Sequence, residues 1–237
     1  MKLPRFDDPA YVREQYATEA GLEARRSIYS DTTGPDARDV MVAAVAEVEP
    51  RRVLEVGCGP GEAATRIARE LGAEVVAIDQ SERMVELARG RGVDARVGDV
   101  QQLDFEDGSF DCVLAAWMLY HVPDVDRAIR EIARVLRAGG RLVAVTNADD
   151  HLAELWSLVG IERVPHGFGR ENGGELLRRH FATVERRDAD GTVTLRDAAV
   201  RSYLASSAHA RPFVDAVPEL REPLVARRRP TVFVADK

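Results

Sequence analysis

The chain has 237 residues with 40 Asp and Glu against 33 Lys and Arg, a formal net charge of −7, and 45% hydrophobic residues. Such a chain is a poor non-specific partner for nucleic acid, whose binding draws mainly on phosphate neutralisation, and the run Arg227-Arg228-Arg229 is too short to reverse this. Its two cysteines, Cys58 and Cys112, sit in no metal-ligand spacing, the start carries no signal-like apolar core, and no apolar run approaches membrane-spanning length, so a cytoplasmic protein without metal, nucleic-acid or membrane partner is expected.

Residues 1–34 interleave Tyr11, Tyr16 and Tyr29 with Arg13, Arg25 and Arg26, and Val12, Tyr16 and Ala20 form a helical face interrupted at Gly21. Across 36–49 a helix is predicted, with Val40, Met41, Ala44, Val45 and Val48 on one stripe and Pro50 ending it. An apolar strand at 53–56 then breaks into Gly57, Gly59 and Gly61, and a helical pattern follows through Ile67, Ala68 and Leu71. The second strand spans 74–79, and Ser81 caps a helix closed by Gly90. A third strand covers 93–97 and a fourth 110–116. Asp124 caps the next helix, with Gly139-Gly140 read as its end and a fifth strand at 142–146. Strands alternating with helices predict an α/β protein, a doubly wound parallel sheet with helices on both faces.

In such sheets ligands bind beyond the carboxyl ends of the strands, where the topology reverses. Gly57, Asp79, Asp99 and the pair Ala116-Trp117 mark those ends for the first four strands. The glycines let a ligand lie against main chain, and the following helix points free N–H groups at it. Each acid alone serves equally well as a helix cap, and the turn alone as a plain bend. Gly57-Cys58-Gly59-Pro60-Gly61 is G-x-G-x-G and departs from the dinucleotide fingerprint G-x-G-x-x-G. A pyrophosphate there would lie beside Glu55 and Glu62, whereas an ammonium or sulfonium ligand such as S-adenosylmethionine would be stabilised.

With these residues in place the chain resembles the class I S-adenosylmethionine-dependent methyltransferases over roughly 36–147. Five ordered motifs carry the resemblance: Leu54-Glu55-Val56-Gly57-Cys58-Gly59-Pro60-Gly61, Ala77-Ile78-Asp79-Gln80-Ser81-Glu82-Arg83-Met84, Gly98-Asp99-Val100, Asp107-Gly108-Ser109-Phe110-Asp111 and Arg134-Val135-Leu136-Arg137-Ala138-Gly139-Gly140. The pattern is most similar to small-molecule methyltransferases of the ubiquinone and menaquinone type. The resemblance implies a Rossmann-like seven-stranded sheet whose last inserted strand is antiparallel, and S-adenosyl-L-methionine as cofactor. It implies that Gly57, Cys58 and Gly59 line the methionine portion and that Glu55 helps hold its ammonium. Asp79 would take the ribose hydroxyls, Gln80 and Met84 would flank the adenine, Asp99 and Val100 would contact its edge, and the run from Ala115 to Trp117 would reach the methyl. The chain departs from the family pattern with Ala138 and Asp104 where proline is common, and with Tyr120-His121 in place of a frequent His pair.

Residues 1–34, 148–178 and 192–229 are read as walls of the acceptor site within a single domain, 1–34 forming a lid in which Tyr16 and Tyr11 either close over the cofactor or pack as aromatic core. Beyond 148 the expected elements are a helical stripe at 152–159, a short helix at 176–177, a strand at 181–187, a helix within 193–205 and a final strand at 231–235. His121, following the fourth strand, is the candidate catalytic base, with loop packing as its other reading; His166, His180 and His209 lie in the variable regions. Arg25, Arg26 and Arg170 are read either as holders of an acidic acceptor or as solvated surface. Three functions fit: methyl transfer to an O, N or C atom of a small molecule, a non-catalytic S-adenosylmethionine binder, and a nicotinamide-dependent oxidoreductase, which the glycine spacing disfavours.

Overall fold

Short apolar, β-branched runs become the strands of a computed structural model that describes residues 7–15, 19–160, 166–207 and 210–237. In chain order they are β1 (Arg52–Val56), β2 (Glu74–Asp79), β3 (Asp94–Val97), β4 (Phe110–Ala116), β5 (Leu136–Asn147), β6 (Thr183–Asp188), β7 (Gly191–Leu195), β8 (Leu224–Arg228) and β9 (Pro230–Asp236). Seven of them make one sheet in the order β3-β2-β1-β4-β5-β9-β6. The pairings among β1 to β5 are parallel, while β9 runs antiparallel between β5 and β6. Strand order therefore reverses between β1 and β4, which opens a crevice at their carboxyl ends. Because β9 is antiparallel, its first residue reaches the same end: Pro230 pairs with Asn147.

The helices are α1 (Pro9–Gln15), α2 (Glu19–Ser27), α3 (Ala37–Ala46), α4 (Glu62–Leu71), α5 (Glu82–Gly90), α6 (Val125–Val135), α7 (Ala153–Ser157), α8 (Gly173–Arg178) and α9 (Asp197–Ala205). Side chains alternate across each strand, so one sheet face packs Leu54, Val113 and Ala115 against Ile129 and Ile132 of α6. The other face packs Val53, Cys112 and Leu114 with Met41 of α3, Ile67 of α4 and Val85 of α5. A separate cluster forms where Leu152 and Leu155 meet Val193, Leu195, Val200, Leu204 and Ala226. This satellite core holds the segment inserted between β6 and β9.

Ser81 and Asp124 cap as expected, accepting from the N–H groups of Met84 and Arg127. Three expectations are corrected. Gly139-Gly140 does not end a helix: α6 stops at Val135, and fully buried Leu136 turns extended to pair with Phe110. The register then shifts before Cys112 meets Arg141, and a Cβ on Gly140 would lie 2.9 Å from the Arg137 carbonyl. The glycines thus serve a strand irregularity. The helix expected within 193–205 is α9, but the residues before it form strand β7, which pairs with the equally unforeseen β8 in a two-stranded ribbon. Gly21 lies inside α2 instead of breaking a helix.

Candidate functional site

The glycine turn after β1 owes its residue types to what surrounds it. Gly57 has φ +66°, and a Cβ there would sit 2.7 Å from Met118 Cβ. Gly61, at φ +82°, would strike Ala88 in the same way at 2.8 Å. Gly59, at φ +53°, would meet nothing within 4 Å, because its open side faces a cavity of about 1100 Å³. Asp79, at the end of β2, ties the turn down: one carboxylate oxygen accepts from Gly59 N–H and the other from Ser81 N–H, each at 2.9 Å. Burial raises the Asp79 pKa, and those two N–H bonds pull the other way.

Glu55 lies behind the turn and is 2% exposed. Burial pushes its pKa up to about 8, against a lowering hydrogen bond from the Ala64 N–H, and the neighbouring charge of Asp79 adds to the rise. Its Oε2 is sealed from solvent with no hydrogen-bond partner. A buried acceptor left without a donor costs stability, and Glu55 borders the cavity. A ligand donor, above all a cationic one, would satisfy it.

The other expected residues fall along the strand ends. Gln80, buried Met84, Asp99 and buried Val100 border the cavity. Asp99 accepts from the main chain and side chain of Gln101, and Gln101 in turn accepts from the Asp124 N–H. Trp117 borders it too, at φ +54°, a strained backbone for a bulky residue, with its N–H donating to Val145 at 2.8 Å. His121, on the 3₁₀ turn Leu119–His121, lines the cavity with its ring centroid 4.4 Å from that of Tyr120. Ala115 is corrected: it is fully buried on the α6 face of β4 and does not line the cavity, whereas Ala116, one residue on, does. Tyr16 and His209 lie outside the described residues, as does the side chain of Tyr11. Burial raises the Cys58 and Cys112 thiols, Cys112 to about 12, which makes both poor nucleophiles.

The far half of the cavity is walled in part by residues that the sequence did not single out, His151, Asn147 and Tyr203 among them. Tyr29 Oη lies 3.0 Å from His151 Nε2, and His151 Nδ1 accepts from the Arg229 N–H at 2.9 Å. With Nδ1 accepting, neutral His151 carries its proton on Nε2 and donates it to Tyr29. Asn147, Tyr203 and Arg228 complete this end. A signal existed: Asn147 and His151 follow the fifth strand, where the crevice must lie. Arg26 forms an ion pair with Glu62 and Arg25 donates to the Ser206 carbonyl at 2.8 Å, so α2 is pinned over the glycine turn. Arg170 is neither surface nor acceptor holder. It is 6% exposed, bonded to Thr231 and the Pro230 carbonyl, and paired with Asp190.

Among the described residues no cluster of His, Cys, Asp or Glu is set to hold a metal, and no helix is long and apolar enough to cross a membrane. A family profile described as a methyltransferase domain matches residues 54–144. An uncharacterized methyltransferase of Mycobacterium bovis is 34% identical over 181 residues, covering 74% of this chain and 70% of that protein. A ubiquinone biosynthesis O-methyltransferase of Xanthomonas oryzae is 42% identical over 130 residues, 52% of this chain and 54% of that protein. The fold is similar to that of a Haemonchus contortus phosphoethanolamine N-methyltransferase solved with S-adenosylhomocysteine, at TM-score 0.63 and 19% identity, covering 99% of this chain and 60% of that one. The chain belongs to the class I S-adenosylmethionine-dependent methyltransferases.

Proposed function

We propose that this methyltransferase transfers a methyl group to an oxygen, nitrogen or carbon nucleophile of a small molecule. The observation that carries the reading is the single cavity of about 1100 Å³ running from the glycine turn to Tyr29, His151 and Arg228. Ligand sites for small molecules measure roughly 300–1,000 Å³, so this one has room for a cofactor and a modest acceptor together. The relative described as a ubiquinone biosynthesis O-methyltransferase supports an oxygen nucleophile as one such acceptor.

The cofactor is S-adenosyl-L-methionine, which supplies an electrophilic methyl group on a sulfonium centre. The residues present fit it: the open face of Gly59, the unsatisfied Oε2 of Glu55 and the absence of any phosphate-neutralising base in the turn suit a cationic amino acid. We assign its amino-acid end to Glu55, Gly57, Cys58 and Gly59, its ribose to Asp79, and its adenine to Gln80, Met84, Asp99 and Val100. Asp79 then both shapes the turn and presents its carboxylate to hydroxyl donors. Trp117 bounds the place where the two reactants meet.

Transfer from a sulfonium is an in-line displacement, so the chain's main work is to align the nucleophile and exclude water. Helix α2, pinned through Arg25 and Arg26, closes the cavity on one side, and His151 positions the Tyr29 hydroxyl in the acceptor half. His121 takes the proton of an acceptor that binds protonated. The test is incubation with methyl-deuterated S-adenosylmethionine and a cell extract separated into small molecules, proteins and nucleic acids. Label is expected in the small-molecule fraction; label confined to either macromolecular fraction, or no label at all, overturns the reading.

A further inference from the structure

Away from the acidic glycine turn, the cavity wall contains a cation with no ion-pair partner among the described residues. Arg228, the last residue of β8, is 6% exposed. Its Nη2 donates to the Thr33 carbonyl at 2.6 Å and to that of Pro35 at 3.3 Å, and its Nε donates to the Thr192 carbonyl at 3.4 Å. All three partners are main-chain dipoles. Among the described residues no carboxylate lies within the 4.0 Å ion-pair distance of this guanidinium. Asp36, in the same wall, feels this charge without pairing with it: burial raises its carboxyl, but three bonds from the Arg38 side chain and one from its N–H, with the charges of Arg38 and Arg228 adding to them, hold it below the usual range. The Nη1 of Arg228 has no acceptor among the described residues and is not sealed by protein, and Arg228 borders the cavity.

A buried cation without an anion is expensive. Here it is also held rigidly, with Nε and Nη2 fixed by carbonyls. The strand order places it in relation to the chemistry. Along the crevice the carboxyl ends run Asp99, Asp79, Gly57, Trp117 and Asn147 on β5, followed by Pro230 at the amino end of antiparallel β9. Strands lie about 4.8 Å apart, so the Pro230 end is roughly 10 Å from the Trp117 end. A molecule of one ring and a short carboxylate arm spans that gap. Its anion would be repelled by Asp79 and Asp99 at one end and attracted at the other, which fixes which way round it enters.

We infer that the acceptor carries a carboxylate and that Arg228 reads it. The inference rests on the small-molecule methyl-transfer reading, and one experiment separates their failures. Protein loaded with S-adenosylhomocysteine is titrated calorimetrically with benzoate, phenylacetate and indole-3-acetate, each against its primary amide. A charge-assisted hydrogen bond of about 1.5–3 kcal/mol predicts at least tenfold tighter binding of an acid than of its amide. Arg228→Gln keeps an amide donor for the Thr33 carbonyl and removes the charge. It brings the ratio to within about twofold while the affinity for S-adenosylhomocysteine stays unchanged. Arg228→Lys, which keeps the charge, retains a preference for the acid; a role confined to holding the carbonyls would lower the melting temperature of both variants and leave the ratio alone. Should Arg228→Gln not fold, the wild-type ratio and Arg228→Lys decide. Protein that takes up S-adenosylhomocysteine yet binds no acid, or binds acids and amides alike, overturns the inference and spares the methyl-transfer reading. Failure to take up S-adenosylhomocysteine strikes that reading instead.

Discussion

At the cofactor end of the cavity, lining groups follow their strands within a residue or two: Gly57 after β1, Asp79 closing β2, Asp99 after β3, Trp117 after β4. At the acceptor end, Tyr29 meets His151 across 122 positions and Arg228 holds Thr33 across 195. The first end is fixed by strand termini in a parallel sheet, whose register leaves the side chains little choice. The second is assembled only once α2, the ribbon of β7 and β8, and the satellite core have docked. A site divided in this way can keep its cofactor grip while its acceptor wall changes.

If the ends are separable, damage to the acceptor wall should spare the cofactor. The largest effect is expected for Arg170→Met, which removes the ion pair to Asp190 and the bonds to Thr231 and Pro230. Asp190 is half exposed and keeps Arg229 at 3.8 Å, so the cost comes mainly from the buried bonds lost to Thr231 and Pro230, about 3 kcal/mol, read by denaturant unfolding, while the folded fraction still binds S-adenosylhomocysteine with wild-type affinity. Loss of that affinity in step with stability would break the comparison.

Next is the pH dependence of the ligand-free protein. The folded pKa of Glu55 is raised to about 8 from 4.5, so between those values the folded state binds more protons than the unfolded one. Stability therefore falls as pH rises from about 4.5 to 8, by on the order of a few kcal/mol. Glu55→Gln should flatten the curve; a wild-type curve already flat over that window would remove the buried carboxyl from the account.

Gly59→Ala sharpens the comparison from the other side. Its methyl enters open cavity, so stability should drop by only about 1 kcal/mol for the positive φ, while S-adenosylhomocysteine binds about tenfold to a hundredfold more weakly by calorimetry. The smallest effect is expected for Tyr29→Phe: about tenfold lower kcat/KM on an identified acceptor, the worth of one hydrogen bond, with cofactor affinity unchanged.

Four of the first five strands were legible because each contains a short apolar run bounded by turn residues, and β3, which buries only Ala95, is bracketed by Val93 and Val97 before Gly98. The face of each residue was legible too, and strand alternation separates Ala115 from Ala116. The glycines at 139 and 140 misled because glycine ends helices and also relieves crowded strands. Arg170 read as a surface or acceptor-side cation because its partners lie 20 and 61 positions away, beyond any local pattern. The ribbon was hidden for the same reason: Gly191–Leu195 becomes a strand by pairing with Leu224–Arg228.

The central claim is that a buried carboxyl behind the glycine turn meets the ammonium of the cofactor. Calorimetric titration of S-adenosylmethionine at pH 6.5, in buffers of differing ionisation enthalpy, tests it most directly. Below its pKa of about 8, Glu55 holds a proton that it must surrender to pair with a cation. The account predicts release of close to one proton on binding to the wild type and none to Glu55→Gln, which binds more weakly. Equal proton release from both proteins, or none from the wild type, would contradict it.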